Sequence, residues 1–162
     1  MRVRTALSRH EASRQEAAPK QAEPTPAAKK RVLFVCIGNA CRSQMAEAFA
    51  LRYGSDSAEF ASAGLSPAGS IPELTKAVMM DKNIPMDRHT PKGIEMFSKQ
   101  PWDVVVNISG NPLPGMQAGR IVEWKIQDPM GQRQVVHERV RDELENLVMR
   151  LILELRNQAR RA

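Results

Sequence analysis

Two hydrophobic patterns alternate along this chain from residue 31 onward. Short continuous apolar runs, of which RVLFVC at residues 31–36 is the first, are typical of strands buried on both faces of a parallel sheet. Longer stretches whose apolar residues recur three and four positions apart are typical of helices that pack on such a sheet. The alternation therefore predicts an α/β domain.

These patterns predict four strands and about five helices. The strands are expected at residues 31–36, 59–64, 102–109 and 120–126. The clearest helices are expected at residues 43–54, 72–83, 88–99 and 133–158, with Thr90 as the cap of the third and Pro91 in its first turn. The fold predicted is flavodoxin-like, with a four-stranded parallel sheet between helices on both faces. Its ligand site should lie beyond the carboxyl ends of the strands.

Residues 1–30 differ in composition from the rest of the chain. They hold seven of the 24 basic residues and three of the 18 acidic ones, with many alanines and prolines and few large apolar residues. This composition predicts a disordered basic leader ahead of a single domain at residues 31–162. No aromatic residue interleaves the charges of the leader, so the net charge of +6 does not indicate a nucleic-acid partner.

The apolar segments of the chain indicate where in the cell the protein is expected. No run is long and apolar enough to cross a membrane, and the N-terminus has no signal-peptide core. We therefore expect a soluble cytoplasmic protein with no membrane partner. Two cysteines in a chain of 162 residues do not make a disulfide framework, which leaves Cys36 and Cys41 as candidates for chemistry.

The segment that follows the first strand has the composition of an anion-binding loop. Gly38 and Asn39 tolerate the positive φ that turns successive backbone N–H groups inward at the start of a helix. Such a loop binds a tetrahedral oxyanion and favours the thiolate form of a cysteine at its centre, here Cys36. Arg42 supplies a planar fork for two oxygens, and the Ser43 hydroxyl can steady the sulfur as a leaving group. The predicted oxyanion site comprises Ile37, Gly38, Asn39, Ala40, Cys41, Arg42 and Ser43, with Cys36 as nucleophile.

Other kinds of site do not fit this loop. A nucleotide-binding loop would need a lysine after its last glycine, and none follows here. A metal centre would need more ligands than two cysteines, and no histidine is near in sequence. The sequence therefore predicts neither a metal nor another cofactor.

Asp128 is the candidate general acid. It follows the fourth predicted strand, on the same edge of the sheet as the loop, and Pro129 stiffens its turn. A carboxyl group there can protonate a departing oxygen and later activate water. An Asp-Pro turn ahead of a helix is common without any catalytic role, so the residues alone leave both interpretations open.

The stretch VCIGNACRSQMAEAF resembles the phosphate-binding loop and first helix of the low-molecular-weight protein tyrosine phosphatase family, which shares its fold with a group of arsenate reductases. The resemblance continues through SAG, HT, DVVV, DP and RVRDE and covers residues 31–156. It implies Cys36 as nucleophile, Arg42 as oxyanion clamp and Asp128 as general acid. It also implies that Asn39 and Ser43 shape the loop and stabilise the thiolate.

Three functions remain to be distinguished. The function we expect is hydrolysis of phosphate monoesters, including phosphotyrosine in proteins, through a cysteinyl-phosphate intermediate. The second is reduction of arsenate to arsenite, because arsenate has the shape and charge of phosphate. The weakest is oxyanion binding without catalysis. Some segments, SQMAEAF among them, look more like the reductase branch, and Met130 follows Asp-Pro where phosphotyrosine enzymes often carry an aromatic residue.

If the protein is a reductase, another thiol must do the work of the cysteine pair that usually takes over the oxidation from the loop cysteine. Thioredoxin-coupled reductases of this fold use two further cysteines after the third strand, whereas here Ser109 stands at the first of these places and no second cysteine exists. The resolving thiol would be thioredoxin, glutaredoxin or a low-molecular-weight thiol, or else Cys41 attacking from within the loop. Cys41 is thus a redox candidate, with a packed loop residue as the alternative.

The resemblance also raises the question of potassium. Some of these reductases bind the ion through residues that match Asn39, Glu47 and Ser62, with an acidic residue two positions after His-Thr. Here that position is Lys92, whose ammonium either reaches Glu47 in place of the metal or is simply exposed on its helix. We therefore expect activity that does not depend on potassium. His89 is expected to be a loop residue rather than a catalytic base.

Overall fold

A computed structural model describes residues 28–161, so residues 1–27 of the expected leader lie outside the described residues. The helices and strands in chain order are β1 (Lys30–Cys36), α1 (Arg42–Gly54), β2 (Ala58–Gly64), α2 (Glu73–Met80), β3 (Trp102–Asn107), β4 (Ala118–Glu123) and α3 (Gln134–Arg161). One 3₁₀ turn, Ile94–Met96, lies between α2 and β3. None of the helices at residues 28–161 is long and apolar enough to span a membrane.

The four strands form one parallel sheet in the order β2-β1-β3-β4. β1 lies between β2 and β3, with Cys36 at its last position opposite Gly64 of β2. The chain therefore crosses to either side of β1, and the crevice at its carboxyl end is the switch point where ligands bind in open α/β sheets. The predicted fold class is confirmed.

The two faces of the sheet are covered differently. Val32 and Phe34 of β1 point to one face, where they share a core with residues of all three α-helices, among them Phe49, Val78 and Leu144. Leu33 and Val35 point to the other face, which packs against the 3₁₀ turn and the segments around β3, as shown by Ile94, Trp102, Phe97, Leu113 and Met116. Both faces are buried, which accounts for the continuous apolar run of β1.

The prediction of a helix at residues 88–99 is wrong over most of that range, because only Ile94–Met96 is helical, and it forms a 3₁₀ turn. The backbone before the turn bonds to other elements instead of to itself. The Thr90 carbonyl accepts from Gln44 Nε2, the Lys92 N–H donates to Asn39 Oδ1, and the Lys92 carbonyl accepts from the Gly64 N–H. These tertiary hydrogen bonds hold the segment extended. The described residues contain three α-helices rather than about five.

The fourth strand begins two residues earlier than expected and ends at Glu123 rather than residue 126. After Glu123 the Trp124 N–H still donates to the Asn107 carbonyl of β3, and two residues later the carbonyl of Ile126 accepts a hydrogen bond from Arg42. The strand therefore ends just before the chain reaches the predicted site. The remaining boundaries lie within three residues of the predictions.

Candidate active site

Residues 36–43 form a tight loop between β1 and α1. Asn39 has a φ of 48°, in the left-handed region that the sequence predicted for the Gly-Asn turn. Cys36 Sγ lies 2.9 Å from Ser43 Oγ, close enough for the hydroxyl to donate to a thiolate. The loop opens into a cleft of about 160 Å³. It is lined by Cys36, Ile37, Gly38, Ala40, Cys41, Arg42, Asp128 and Met130.

The side chain of Asn39 holds the loop in this shape. Its Nδ2 donates to Ser43 Oγ at 2.8 Å and to Ser62 Oγ at 2.9 Å. Its Oδ1 accepts from Gln44 Nε2 at 2.9 Å and from the Lys92 N–H at 2.8 Å. Asn39 is fully buried, and these four bonds use its whole hydrogen-bonding capacity. The same network orients the hydroxyl of Ser43 beside Cys36 Sγ.

A second layer of polar residues supports Asn39. Ser62 Oγ donates to Glu47 Oε2, and Lys92 Nζ lies 3.9 Å from the same carboxylate oxygen. The ammonium of Lys92 thus reaches Glu47, as the sequence predicted. His89 Nδ1 pairs with Gln44 Oε1 at 3.0 Å, and burial lowers the pKa of His89 below its ordinary value. A neutral ring that fixes Gln44 agrees with the role of a loop residue.

Arg42 spans the ends of β3 and β4. Its Nη1 donates to the carbonyl of Ile108 at 2.8 Å and to that of Ile126 at 3.2 Å. Its Nη2 lies 3.5 Å from Asp128 Oδ2, and its side chain is only 6% exposed. The two carbonyls fix the guanidinium, while the half-exposed carboxylate of Asp128 faces both it and the cleft. The other oxygen of Asp128 accepts from the Met130 N–H at 3.0 Å.

Comparison with known proteins identifies the family of this site. The sequence profile described as low molecular weight phosphotyrosine protein phosphatase matches residues 31–161. The chain belongs to this family. The match covers the loop, the Asp128 turn and α3, so the predicted resemblance is confirmed.

Within the phosphatase family, the chain is similar to proteins named as arsenate reductases. It is 35% identical over 130 residues to the glutaredoxin arsenate reductase of Synechocystis, a match that covers 78% of this chain and 98% of that protein. It is 37% identical over 121 residues to arsenate reductase 1 of Bacillus cereus, covering 72% and 89%. A solved arsenate reductase in its phosphate-binding state matches with a TM-score of 0.73 and 33% identity, covering 78% and 98%.

In this family member, the second loop cysteine has the environment of a packed residue. Cys41 Sγ lies 3.2 Å from Thr75 Oγ1 of α2, and the residue is 3% exposed. Burial raises the pKa of the Cys41 thiol to about 11. Both cysteines are free. At neutral pH the Cys41 thiol is protonated, which makes it a poor nucleophile for attack on an adduct of Cys36.

Gly64 allows the phosphatase-family loop to pack closely against β2. A Cβ atom at this position would lie 2.8 Å from both the Asn39 nitrogen and the Ile37 carbonyl oxygen, which are backbone atoms of the loop. Gly64 is not among the site residues predicted from the sequence. The feature of the sequence that could have indicated its role is its place in SAG, at the end of an apolar strand.

Other residues of the site escaped sequence reasoning because they act through distant contacts. Gln44 is fully buried on α1 and joins Asn39 to His89. The signal for it is a long polar side chain on an otherwise apolar helix face. The carbonyls of Ile108 and Ile126, which fix Arg42, have no signal in the sequence, because every residue has a carbonyl group.

Proposed function

We propose that the protein is an arsenate reductase in which Cys36 attacks arsenate and an external thiol completes the reduction. We choose a reductase because the chain is similar to arsenate reductases, in one case over nearly the whole length of the enzyme. The loop geometry supports the chemistry, because a buried thiol, a hydrogen-bonded hydroxyl, a fixed guanidinium and an acid meet at one small cleft.

The first step uses the residues around the cleft. Backbone N–H groups of the loop and the Arg42 guanidinium bind the arsenate oxygens, with Nη1 committed to carbonyls and Nε and Nη2 left as donors. The Cys36 thiolate attacks arsenic, and a sulfur–arsenic bond forms as an arsenic–oxygen bond breaks. Asp128 supplies the proton with which the departing oxygen leaves as water. The Ser43 hydroxyl steadies Cys36 Sγ before and after the attack.

The second step requires a thiol that the chain does not supply. The sulfur of the external thiol attacks Cys36 Sγ, a disulfide bond forms, and the sulfur–arsenic electron pair passes to arsenic, which is reduced from the +5 to the +3 state. A second thiol then reduces the mixed disulfide. The net reaction converts arsenate and two thiols into arsenite, one disulfide and water, with two electrons transferred.

The absence of an internal relay supports an external thiol. The sequence contains only two cysteines, and Ser109 cannot form a disulfide. Thioredoxin, glutaredoxin and low-molecular-weight thiols are the candidate donors. Such thiols are kept reduced in the cytoplasm, so we infer that the enzyme works there.

Hydrolysis of phosphate monoesters, the function expected from the sequence, becomes the second candidate, because the similarity to arsenate reductases supports reduction better. The family description favours it, and the same residues suit it: Cys36 would form a cysteinyl-phosphate, and Asp128 would protonate the leaving alkoxide or phenoxide. A phosphotyrosine protein would be the substrate. The cleft rim offers half-exposed Met130 rather than an aromatic ring to such a substrate, which favours a small oxyanion.

Both activities can be measured on one preparation of the full chain. Arsenite release is followed with arsenate, glutathione and glutaredoxin, and hydrolysis is followed with an aryl phosphate. We expect arsenite turnover that disappears in Cys36→Ser and a hydrolysis rate that is small beside it. Faster hydrolysis than reduction, also lost in Cys36→Ser, would make the phosphatase the better description. Oxyanion binding without either activity would indicate a binding protein.

A further inference from the structure

A second, larger cleft lies beside the loop at residues 36–43 and has no part in the proposed attack of Cys36 on arsenate. It has a volume of about 750 Å³ and opens between residues 108–112, after β3, and residues 123–127, at the end of β4. Arg42 lies in its wall and also in the wall of the smaller cleft over Cys36. The two cavities therefore meet at one guanidinium.

One wall of this cleft is rigid. Ser109 Oγ and the Ser109 N–H both donate to Asn107 Oδ1, and the Asn111 N–H donates back to Ser109 Oγ. Asn107 Nδ2 in turn donates to the Asn111 carbonyl. Four hydrogen bonds within five residues hold the turn after β3 in one conformation. The cleft is thus formed before any ligand binds, which is typical of small-molecule sites.

The opposite wall carries two opposite charges. Glu123 and Lys125 are both exposed and stand two residues apart at the end of β4. Glu123 Oε1 is held by Asn107 Nδ2 at 3.2 Å, whereas Lys125 makes no ion pair within residues 28–161. Such a pair suits a ligand with both a carboxylate and an ammonium group.

We propose that this cleft binds the external thiol, and that the thiol is a zwitterionic amino-acid or peptide thiol. The inference rests on the proposed reductase function. The carboxylate of the ligand pairs with Lys125, its ammonium group lies near Glu123, and its thiol is directed past Arg42 toward Cys36. The cleft volume lies within the range of small-molecule pockets, whereas a protein donor would bury roughly 800 Å² of each partner over a broad surface.

The bound thiol would carry out the second half of the reaction. Its thiolate attacks Cys36 Sγ, the sulfur–arsenic bond breaks, and its electron pair stays on arsenic as arsenite leaves. Cys36 is left as a mixed disulfide with the ligand. A second molecule of the same thiol attacks the ligand sulfur, which releases the symmetrical disulfide and restores the Cys36 thiolate.

Kinetics with two thiols test the site. Glutathione carries two carboxylates and one ammonium group, and dithiothreitol carries no charged group. In Lys125→Glu we expect the ratio of kcat/KM for glutathione to kcat/KM for dithiothreitol to fall about tenfold, because an attractive charge becomes repulsive. The matched control is Lys99→Glu, a charge reversal at an exposed lysine outside the cleft, which should leave the ratio unchanged. An equal ratio in all three proteins would overturn the proposal.

A direct binding measurement separates failure of the site from failure of the function. S-methylglutathione cannot react, so its binding to the full chain is followed by the amide NMR shifts without arsenate. We expect shifts concentrated at residues 108–112 and 123–127 and weakened in Lys125→Glu. Shifts elsewhere, or none, would overturn the site even if arsenate is reduced. Binding at the cleft without arsenite formation from any thiol would instead overturn the reductase function.

Discussion

At the scale of single residues, the two cysteines of the loop have different chemical settings. Both line the small cleft and both are buried, but Cys36 Sγ lies against the Ser43 hydroxyl of the loop, whereas Cys41 Sγ lies against Thr75 of α2. They lie five positions apart in the same loop, and because both are cysteines the residue type does not tell them apart. Only the direction of each side chain separates a candidate nucleophile from a packing residue.

Alkylation should distinguish the two cysteines. Because burial raises the pKa of Cys41 to about 11, its thiol stays protonated at neutral pH. We expect iodoacetamide to modify Cys36 and leave Cys41 intact in the folded protein, as read from peptide masses. Cys36→Ser should then take up no label, and phosphate in the cleft should slow labelling of the wild type. Earlier labelling of Cys41 would contradict this assignment of the side chains.

Lys92 places a positive charge beside Glu47. Its ammonium lies 3.9 Å from the Glu47 carboxylate, which in turn accepts from Ser62 in the network around Asn39. A positive charge is therefore already supplied at this carboxylate. The predicted contact between Lys92 and Glu47 is present. That the activity does not depend on potassium stays a prediction.

We expect the rate of arsenite formation to be the same in potassium and sodium chloride at equal ionic strength. The tethered ammonium of Lys92 supplies the charge that a potassium ion would otherwise bring to Glu47. The measurement is the initial rate across a series of salt mixtures with constant total concentration. A clear rate increase with the potassium fraction would show that the ion binds despite Lys92.

At the scale of elements, the segment between α2 and β3 explains why one helix prediction failed. Thr90 and Pro91 form a good helix start in sequence, and nothing local argues against a helix there. The backbone at residues 90–92 is instead engaged by Gln44, Asn39 and Gly64, which come from α1, the loop and β2. Tertiary hydrogen bonds decided the structure of this segment, and no local pattern encodes them.

The packing of β2 against the loop makes Gly64 sensitive to substitution. In Gly64→Ala the new methyl group would meet backbone atoms at 2.8 Å, which cannot move without shifting Asn39. We expect a loss of about 1–3 kcal/mol in the free energy of unfolding, measured by urea titration, and lower arsenite turnover. Gly69→Ala is the matched control, because its methyl group would meet nothing within 4 Å. Equal stability of the two variants would contradict the close packing.

The first turn of α3 contains a buried histidine that sequence reasoning missed. His137 is 2% exposed, and its Nδ1 has no hydrogen-bond partner among the described residues. Burial lowers the pKa of His137 below its ordinary value of 6.5. The unfolded chain therefore binds a proton more readily than the folded protein does. The stabilising effect of the neutral ring is fully present above about pH 6.5 and is lost as the pH falls toward the lowered pKa.

The Tm of the wild type should accordingly fall as the pH decreases from about 7 to about 5. His89, whose pKa burial also lowers, contributes in the same direction. We expect His137→Phe, which keeps a buried ring without a titrating group, to show a shallower fall than the wild type. The check is a set of thermal melts at constant ionic strength. Parallel curves for the two proteins would contradict a neutral, buried His137.

In the molecule as a whole, the parallel sheet brings the residues of the site together at one of its edges. The ends of β1, β3 and β4 bring Cys36, the Ile108 carbonyl and Asp128 together, although they are far apart in sequence. The parallel sheet and the turn at Asn39 were predictable, because both depend on local patterns of apolar residues and on glycine and asparagine. The carbonyls that fix Arg42, the role of Gln44 and the large cleft were not, since they depend on the three-dimensional meeting of segments.

Cys36 should reduce arsenate with an external thiol alone, without Cys41. The test is a reaction of Cys41→Ser with one equivalent each of arsenate and glutathione, so that no second glutathione is left to release the mixed disulfide; arsenite is measured by chromatography and the protein by mass spectrometry. We expect about one arsenite per enzyme and a glutathione disulfide on Cys36, and neither in Cys36→Ser. Arsenite formation that requires Cys41, or a disulfide between Cys36 and Cys41 in the wild type during turnover, would contradict it.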